Sequence, residues 1–236
     1  MKIAAVIPAY NEEKSIVAVV DSINTLRIQG IDITAIVVND CSKDNTAAVA
    51  SKADCILLNL PVNLGIGGAV QTGFKFALRN HFDIAIQVDG DGQHPANEIP
   101  NLIAPIINNL ADVVIGSRFI EKTGFQSSSL RRGGIKYFKY VHRLLVNVQF
   151  TDSTSGFRAL NKKALTIVDE YYPDEYPEPE AIVLYAFNDL KILEIPVEMR
   201  ERQGGVSSIN TLSGIYYMIK VTLAIIFTYI RLKRNK

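Results

Sequence analysis

The sequence predicts an α/β protein with a mostly parallel sheet flanked by helices. Three observations predict it. Short, continuous apolar runs alternate with helical patterns along most of the chain. Runs of that kind belong to strands buried on both faces, as in a sheet covered by helices. A polar, often glycine-bearing cluster follows each run, which suits the carboxyl edge of such a sheet. The length, 236 residues at 48% hydrophobic, suits one α/β domain with room for a large core.

In chain order, Ile3 to Ile7 reads as a strand and Glu12 to Arg27 as an amphipathic helix. Ile33 to Val38 is a strand, Asp44 to Ala53 helical, and Cys55 to Leu60 a strand. Gly67 to Arg79 is helical, Ile84 to Val88 a strand, Ile99 to Asn109 helical, and Asp112 to Ile115 a strand. The boundaries place a domain over residues 1–208 and a hydrophobic helix with a basic tail over 209–236. With 25 basic and 24 acidic residues the charge is balanced, which argues against a nucleic-acid partner. Cys41 and Cys55 lie in different elements and suggest neither a disulfide framework nor a zinc cluster. His81 and His142 fall in helical patterns and read as surface or packing residues. The N-terminus enters the first strand without a secretory pattern, so a reducing cytoplasm is expected.

The clusters after the strands carry the chemistry. Pro8-Ala-Tyr-Asn-Glu-Glu13 follows the first, Asn39-Asp40-Cys-Ser-Lys-Asp44 the second, and Asn63-Leu-Gly-Ile-Gly-Gly68 the third. Asp89-Gly-Asp-Gly-Gln93 follows the fourth and Gly116-Ser-Arg118 the fifth. Asp89 and Asp91 are two apart, so both carboxylates can aim at one point, and the glycines let a ligand approach. Hard oxygen donors there suit Mg²⁺ or Mn²⁺ already carrying phosphates. Each cluster alone reads equally well as a loop or a helix cap. Asn63 to Gly68 matches neither the dinucleotide spacing nor a P-loop. Five clusters on one edge make an active site the better reading.

Together these motifs resemble family-two glycosyltransferases of the GT-A (Rossmann-like) fold. They are most similar to dolichyl- and polyprenyl-phosphate sugar transferases and to bacterial surface-polysaccharide enzymes. Asp152-x-x-Ser155-Gly-Phe-Arg158 and Arg202-x-x-Gly-x-Ser207 extend the likeness to residues 3 to 208. The resemblance implies that Pro8, Tyr10, Asn11, Glu12, Asn63, Gly65 and Gly68 border a nucleotide, whose base Asp40 reads. It assigns the metal, Mg²⁺ or Mn²⁺, to Asp89, Asp91 and Gln93, with Asp89 also on the donor side. Arg202 and Ser207 resemble a segment closing over the diphosphate. Arg118 and Arg131 resemble residues that receive an anionic acceptor, with Ser155 and Arg158 beside them; Arg158 reads equally as a structural partner of Asp152. Asn39 stands where an aspartate is usual, and Ile66 where many relatives carry Lys.

The implied reaction is inverting transfer from a nucleotide-diphosphate sugar to a polyprenyl phosphate. An ionised phosphate acceptor needs no base, whereas a hydroxyl acceptor does. Glu178 and Glu180 begin an apolar helical stretch, where acidic residues also simply complement the helix dipole; Glu180 is taken as the candidate base. Ile215 to Ile230 is apolar nearly all round and is followed by Arg231-Leu-Lys-Arg-Asn-Lys236. It is short for a span of about 20 residues. It fits an interfacial helix at the cytoplasmic face of the cell membrane, or else an oligomer or small membrane partner. Arg131, Arg132, Lys136, Lys139 and Arg143 form a basic patch interleaved with aromatics, readable as membrane-facing or as a solvated helix face. A sugar-phosphate nucleotidyltransferase would open with a basic glycine loop, and a non-catalytic scaffold would need no carboxylate pair.

Overall fold

A computed structural model describes residues 1–121, 129–201 and 211–234, and of 129–132 and 211–215 only the backbone. Seven strands form one sheet in the order β3-β2-β1-β4-β6-β5-β7. They are β1 (Lys2–Ala9), β2 (Asp32–Asn39), β3 (Ile56–Asn59), β4 (Ile84–Gln87), β5 (Val113–Ser117), β6 (Arg158–Asn161) and β7 (Ile192–Pro196). All pairings are parallel except those of β6, which runs antiparallel to both β4 and β5.

The apolar runs form strands because both of their faces are buried. Ile3, Ala5 and Ile7 enter one core with Val37, Ile84, Ile86 and Val114. Ala4 and Val6 enter the opposite core with Ile36, Val38, Ala85 and Val113. Helices α1 (Ile16–Asn24) and α4 (Ile99–Ile107) cover the first face. Helices α3 (Gly65–Arg79), α6 (Lys162–Glu170) and α7 (Pro177–Phe187) cover the second. The short α2 (Thr46–Ala50) joins β2 to β3. A third, smaller core of Phe138, Val183, Val221 and Ile225 holds α5 (Ser129–Val146) and α8 (Thr211–Arg234) against α7. Gly134 of α5 faces the end of the Met218 side chain of α8, whose sulfur would lie 2.9 Å from a Cβ placed there.

Helix α1 begins later than its amphipathic pattern. Asn11 takes a left-handed conformation (φ 59°), and the Glu12 carbonyl accepts from both Ser15 and Ile16. The Glu12 N–H donates to Thr46 Oγ1 and the Glu13 N–H to Asp44 Oδ2. Residues 11–15 are thus a turn bound to the loop after β2, which outcompetes helical pairing. Strands β6 and β7 carry no such apolar run: one opens on a buried arginine and the other alternates around Glu194.

Candidate functional site

Because β2 and β4 flank β1 while the chain visits them on either side of two crossovers, the loops after β1 and β4 diverge at their carboxyl ends. Such a switch point is where open α/β sheets bind ligands. A cleft of ≈ 460 Å³ lies there, lined by Pro8, Tyr10, Glu12, Asp40, Asn63, Gly65, Asp89, Asp91 and Glu178, among others. The fold therefore assembles one concave site from segments as far apart in the chain as Pro8 and Glu178.

Each loop is fixed by its own hydrogen bonds. The Asp40 carboxylate accepts from the N–H groups of Leu64 (2.6 Å) and Gly65 (2.9 Å), satisfying the first turn of α3. Asn63 Nδ2 returns a bond to the Asp40 carbonyl at 3.0 Å. Asp40 is thus a cap that also lines the cleft, and the start of α3 already has its anion. Gly67 N–H donates to the Asp174 carbonyl at 2.8 Å. A Cβ on Gly67 would sit 2.0 Å from the Pro173 carbonyl oxygen, so only glycine lets the chain ahead of α7 dock here. That docking carries Glu178 into the cleft.

The two aspartates stand at the cleft floor. Asp91 is buried and its Oδ1 accepts from Gln93 N–H at 3.0 Å. The Asp89 Oδ1 lies 3.3 Å from Gln87 Nε2. Among the described residues no group of three His, Cys, Asp or Glu converges as a complete metal site. The pair nevertheless fits a hard divalent ion that completes its shell with phosphate and water, which is how Mg²⁺ is usually held. Burial pushes the Glu178 carboxyl above its ordinary value, Arg158 opposes that, and Asp89 adds to it. A raised carboxyl in a cleft is the setting of a proton-transfer group.

Several expected residues are not among those lining the cleft. Asn11 braces the loops, accepting from Lys43 N–H at 2.8 Å while its own N–H donates to Ser42. Gly68 lies within α3 against the Leu64 side chain. Gln93 contributes its backbone N–H to Asp91. Glu180 does not face the cleft: it accepts from Tyr171 Oη at 2.9 Å and from Thr228 Oγ1 at 2.5 Å, under α8. Of the two glutamates at the start of α7, Glu178 is the one that lines the cleft. Residues two apart on a helix are turned about 200° from each other, so only one can reach the site.

The acceptor set also changes. Arg118 is 5% exposed and clamps Asp152 with two bonds of 2.7 and 2.8 Å. Burial would lower its pKa, but Asp152 outweighs this and holds it up. The structural partner of Asp152 is thus Arg118 and not Arg158. Arg158, 1% exposed, donates to the carbonyls of Ser155 and Ser153. Ser155 is buried in the same turn and accepts from Phe157 N–H. All three side chains are buried, and none is among the residues that line the cleft. The side chain of Arg131, together with Arg202 and Ser207, lies outside the described residues.

The sequence reading missed His94 and Gln87, which hold Asp89 from behind. The signals were positional: Gln87 ends β4, where a polar side chain on a buried strand wants a partner, and His94 directly follows the Asp89–Gln93 cluster.

A model of the family "Glycosyl transferase family 2" matches residues 4–167. Among curated relatives, the UDP-N-acetylglucosamine–dolichyl-phosphate N-acetylglucosaminyltransferase of Methanococcus voltae is 34% identical over 213 residues, 82% of this chain and 83% of its own. The undecaprenyl-phosphate mannosyltransferase of Micrococcus luteus is 26% identical over 219 residues, 89% of this chain and 88% of its own. Among solved structures, glucosyl-3-phosphoglycerate synthase of Mycobacterium tuberculosis, in complex with Mn²⁺, UDP-glucose and phosphoglyceric acid, superposes with a TM-score of 0.71 at 20% identity. That superposition covers 97% of this chain and 79% of the other.

Proposed function

The chain belongs to glycosyl transferase family 2, the nucleotide-sugar-dependent transferases, and from that premise we propose that it moves a sugar from a nucleoside-diphosphate donor to a polyprenyl-phosphate acceptor at a membrane surface. Relatives named for dolichyl- and undecaprenyl-phosphate transfer support the acceptor class. The observation that carries it is a row of exposed apolar side chains on α8. Tyr216, Ile219, Leu223, Phe227 and Ile230 recur at helical spacing on one face and are each 47–64% exposed. The opposite face, through Val221, Ile225 and Thr228, packs on α7, the helix that brings Glu178 to the cleft. On α5, Tyr140 and Leu144 are likewise apolar and exposed, at 71% and 85%. A free-standing protein gains nothing by showing water so much apolar area. Among the described residues no helix is long and apolar enough to cross a membrane, so α8 would lie in the interface, with Arg231, Lys233 and Arg234 on anionic headgroups.

In the cleft, Tyr10 and Pro8 form the side where a nucleoside ring would lie, and Asp89 and Asp91 face the diphosphate. A divalent ion held by that pair would supply positive charge to the leaving diphosphate. Arg202 is proposed to add to it. Attack by the acceptor on the face of the glycosidic carbon opposite the leaving diphosphate would invert its configuration. Incubating the protein with UDP-, GDP- and dTDP-sugars, Mn²⁺ and a polyprenyl phosphate in vesicles tests the proposal. Sugar-linked lipid is the expected product from one donor, and its absence with every donor would reject the acceptor class. A second reading, transfer to a sugar hydroxyl, is favoured by Glu178 alone, since a raised carboxyl in the cleft can take that proton.

A further inference from the structure

We infer that His94 is the positioning residue of the metal-binding loop: one ring nitrogen fixes the backbone at Asp89 while the other turns the Asp89 carboxylate into the cleft. This rests on the reading of Asp89 and Asp91 as metal ligands. His94 is 5% exposed and stacks on Phe157 with ring centroids 4.7 Å apart. The Asp89 N–H donates to His94 Nδ1 at 3.0 Å, so that nitrogen presents its lone pair and the ring hydrogen sits on Nε2. Nε2 lies 3.5 Å from Asp89 Oδ2. The loop 89–94, which contains both proposed ligands, is thereby closed by a ring whose two nitrogens address the backbone and the side chain of its first residue.

The other carboxylate oxygen is steered from the opposite side by Gln87 Nε2, at 3.3 Å. Both contacts to the carboxylate are long, so they orient it and leave its lone pairs for a cation. The Asp89 side chain is 32% exposed and would otherwise wander among rotamers. Gly156 keeps the arrangement open, since a Cβ there would stand 2.6 Å from Gln87 Nε2 and 3.3 Å from Asp89 Oδ1. A ligand held in its binding rotamer spares the ordering cost when the ion arrives, the general role of partners behind a metal ligand.

Mn²⁺ affinity, read from the electron paramagnetic resonance of free Mn²⁺ with UDP or GDP present, tests the inference. Nucleotide affinity in chelator serves as the control. His94→Asn keeps an acceptor near Nδ1 and removes the partner of the carboxylate; His94→Gln does the reverse. Each should weaken Mn²⁺ roughly ten- to a hundredfold and leave metal-free nucleotide binding unchanged. Wild-type Mn²⁺ affinity in both, with Asp89→Asn losing it, overturns the role of His94 and leaves the metal site standing. If Asp89→Asn also binds Mn²⁺ normally, or the wild type binds none with either nucleotide, the metal reading fails and this inference with it. Should the His94 variants not fold, ¹⁵N-histidine spectra of the wild type decide. A bare Nδ1 and a protonated Nε2 that both shift on adding Mg²⁺ and nucleotide support the clasp, and a protonated Nδ1 or unmoved signals reject it.

Discussion

Asp40 receives two backbone N–H groups at the start of α3 and is buried as it does so. Asp40→Asn turns one acceptor into a donor facing a donor, a loss of about 1–3 kcal/mol. At roughly 2–4 °C per kcal/mol for a chain of this size, thermal unfolding should show it. An unchanged melting temperature with weaker donor binding would instead make Asp40 a reader of the base. Asp91→Asn keeps the bond from Gln93 and loses the charge. Metal-dependent transfer should fall on the order of a hundredfold or more with little change in stability. Near-normal turnover in Mn²⁺ would remove Asp91 from the site. The carboxylates of α7 separate by role. Glu180→Ala should cost about 1–3 kcal/mol, because it leaves the hydroxyls of Tyr171 and Thr228 without their acceptor, and leave donor binding intact. Glu178→Gln should spare transfer to a phosphate and abolish transfer to a hydroxyl.

Helices α5, α7 and α8 form a unit whose seams are polar points in apolar contact. His142 on α5 is fully buried and its Nε2 donates to the Pro179 carbonyl on α7 at 2.7 Å. Burial, the largest cause, depresses its pKa from 6.5 to about 4, with Arg158 adding to the depression. The folded state thus refuses a proton that the unfolded chain accepts below 6.5. Stability from this group is complete above pH 6.5 and is lost as pH falls toward 4, up to about 3 kcal/mol. Glu178 acts oppositely at the lower end, since its raised carboxyl gains stability as it protonates. Denaturant midpoints between pH 7.5 and 5 should therefore fall in the wild type and flatten in His142→Gln. Equal slopes would place the pH dependence elsewhere. On the other seam, Arg231 lies 3.6 Å over the Tyr171 ring, whose hydroxyl reaches Glu180, so the last turn of α8 is tied to α7 as well.

Deleting residues 211–236 would strip the cover from Val183 and Phe138, so loss of membrane binding could not be told from loss of fold. Leu223→Ser with Phe227→Ser is cleaner, because both side chains face outward. The double variant should keep its melting temperature and donor binding yet stop pelleting with vesicles containing anionic lipid. Transfer to a long-chain lipid phosphate should fall with it. Wild-type pelleting should also weaken with salt, since Arg231, Lys233 and Arg234 act through a screened field. Vesicle binding that survives the double substitution would end the interfacial reading of α8.

Of the five legible strands, β1, β2, β4 and β5 are buried on both faces and so must be apolar there, while the edge strand β3 is apolar yet only partly buried. The edge where Pro8, Asp40, Asn63, Asp89 and Asp91 gather followed from those strands being parallel, which puts every following loop on one side. Strand β6 stayed hidden because it opens on Arg158, whose charge is met by carbonyls of its own turn. The glutamates show the limit most clearly. Helix α7 is buried nearly all round, so its apolar pattern has no direction and cannot say whether Glu178 or Glu180 faces the cleft. The docking of Pro173 and Asp174 on Gly67, and the cover of α8 over Glu180, decide it. Likewise Arg118, Ser155 and Arg158 carried the right chemistry for an anion, and only the fold showed that they are buried away from the cleft. Local sequence sets which surfaces must be hidden, whereas the rotation of a helix about its axis is set by what packs on it from elsewhere in the chain.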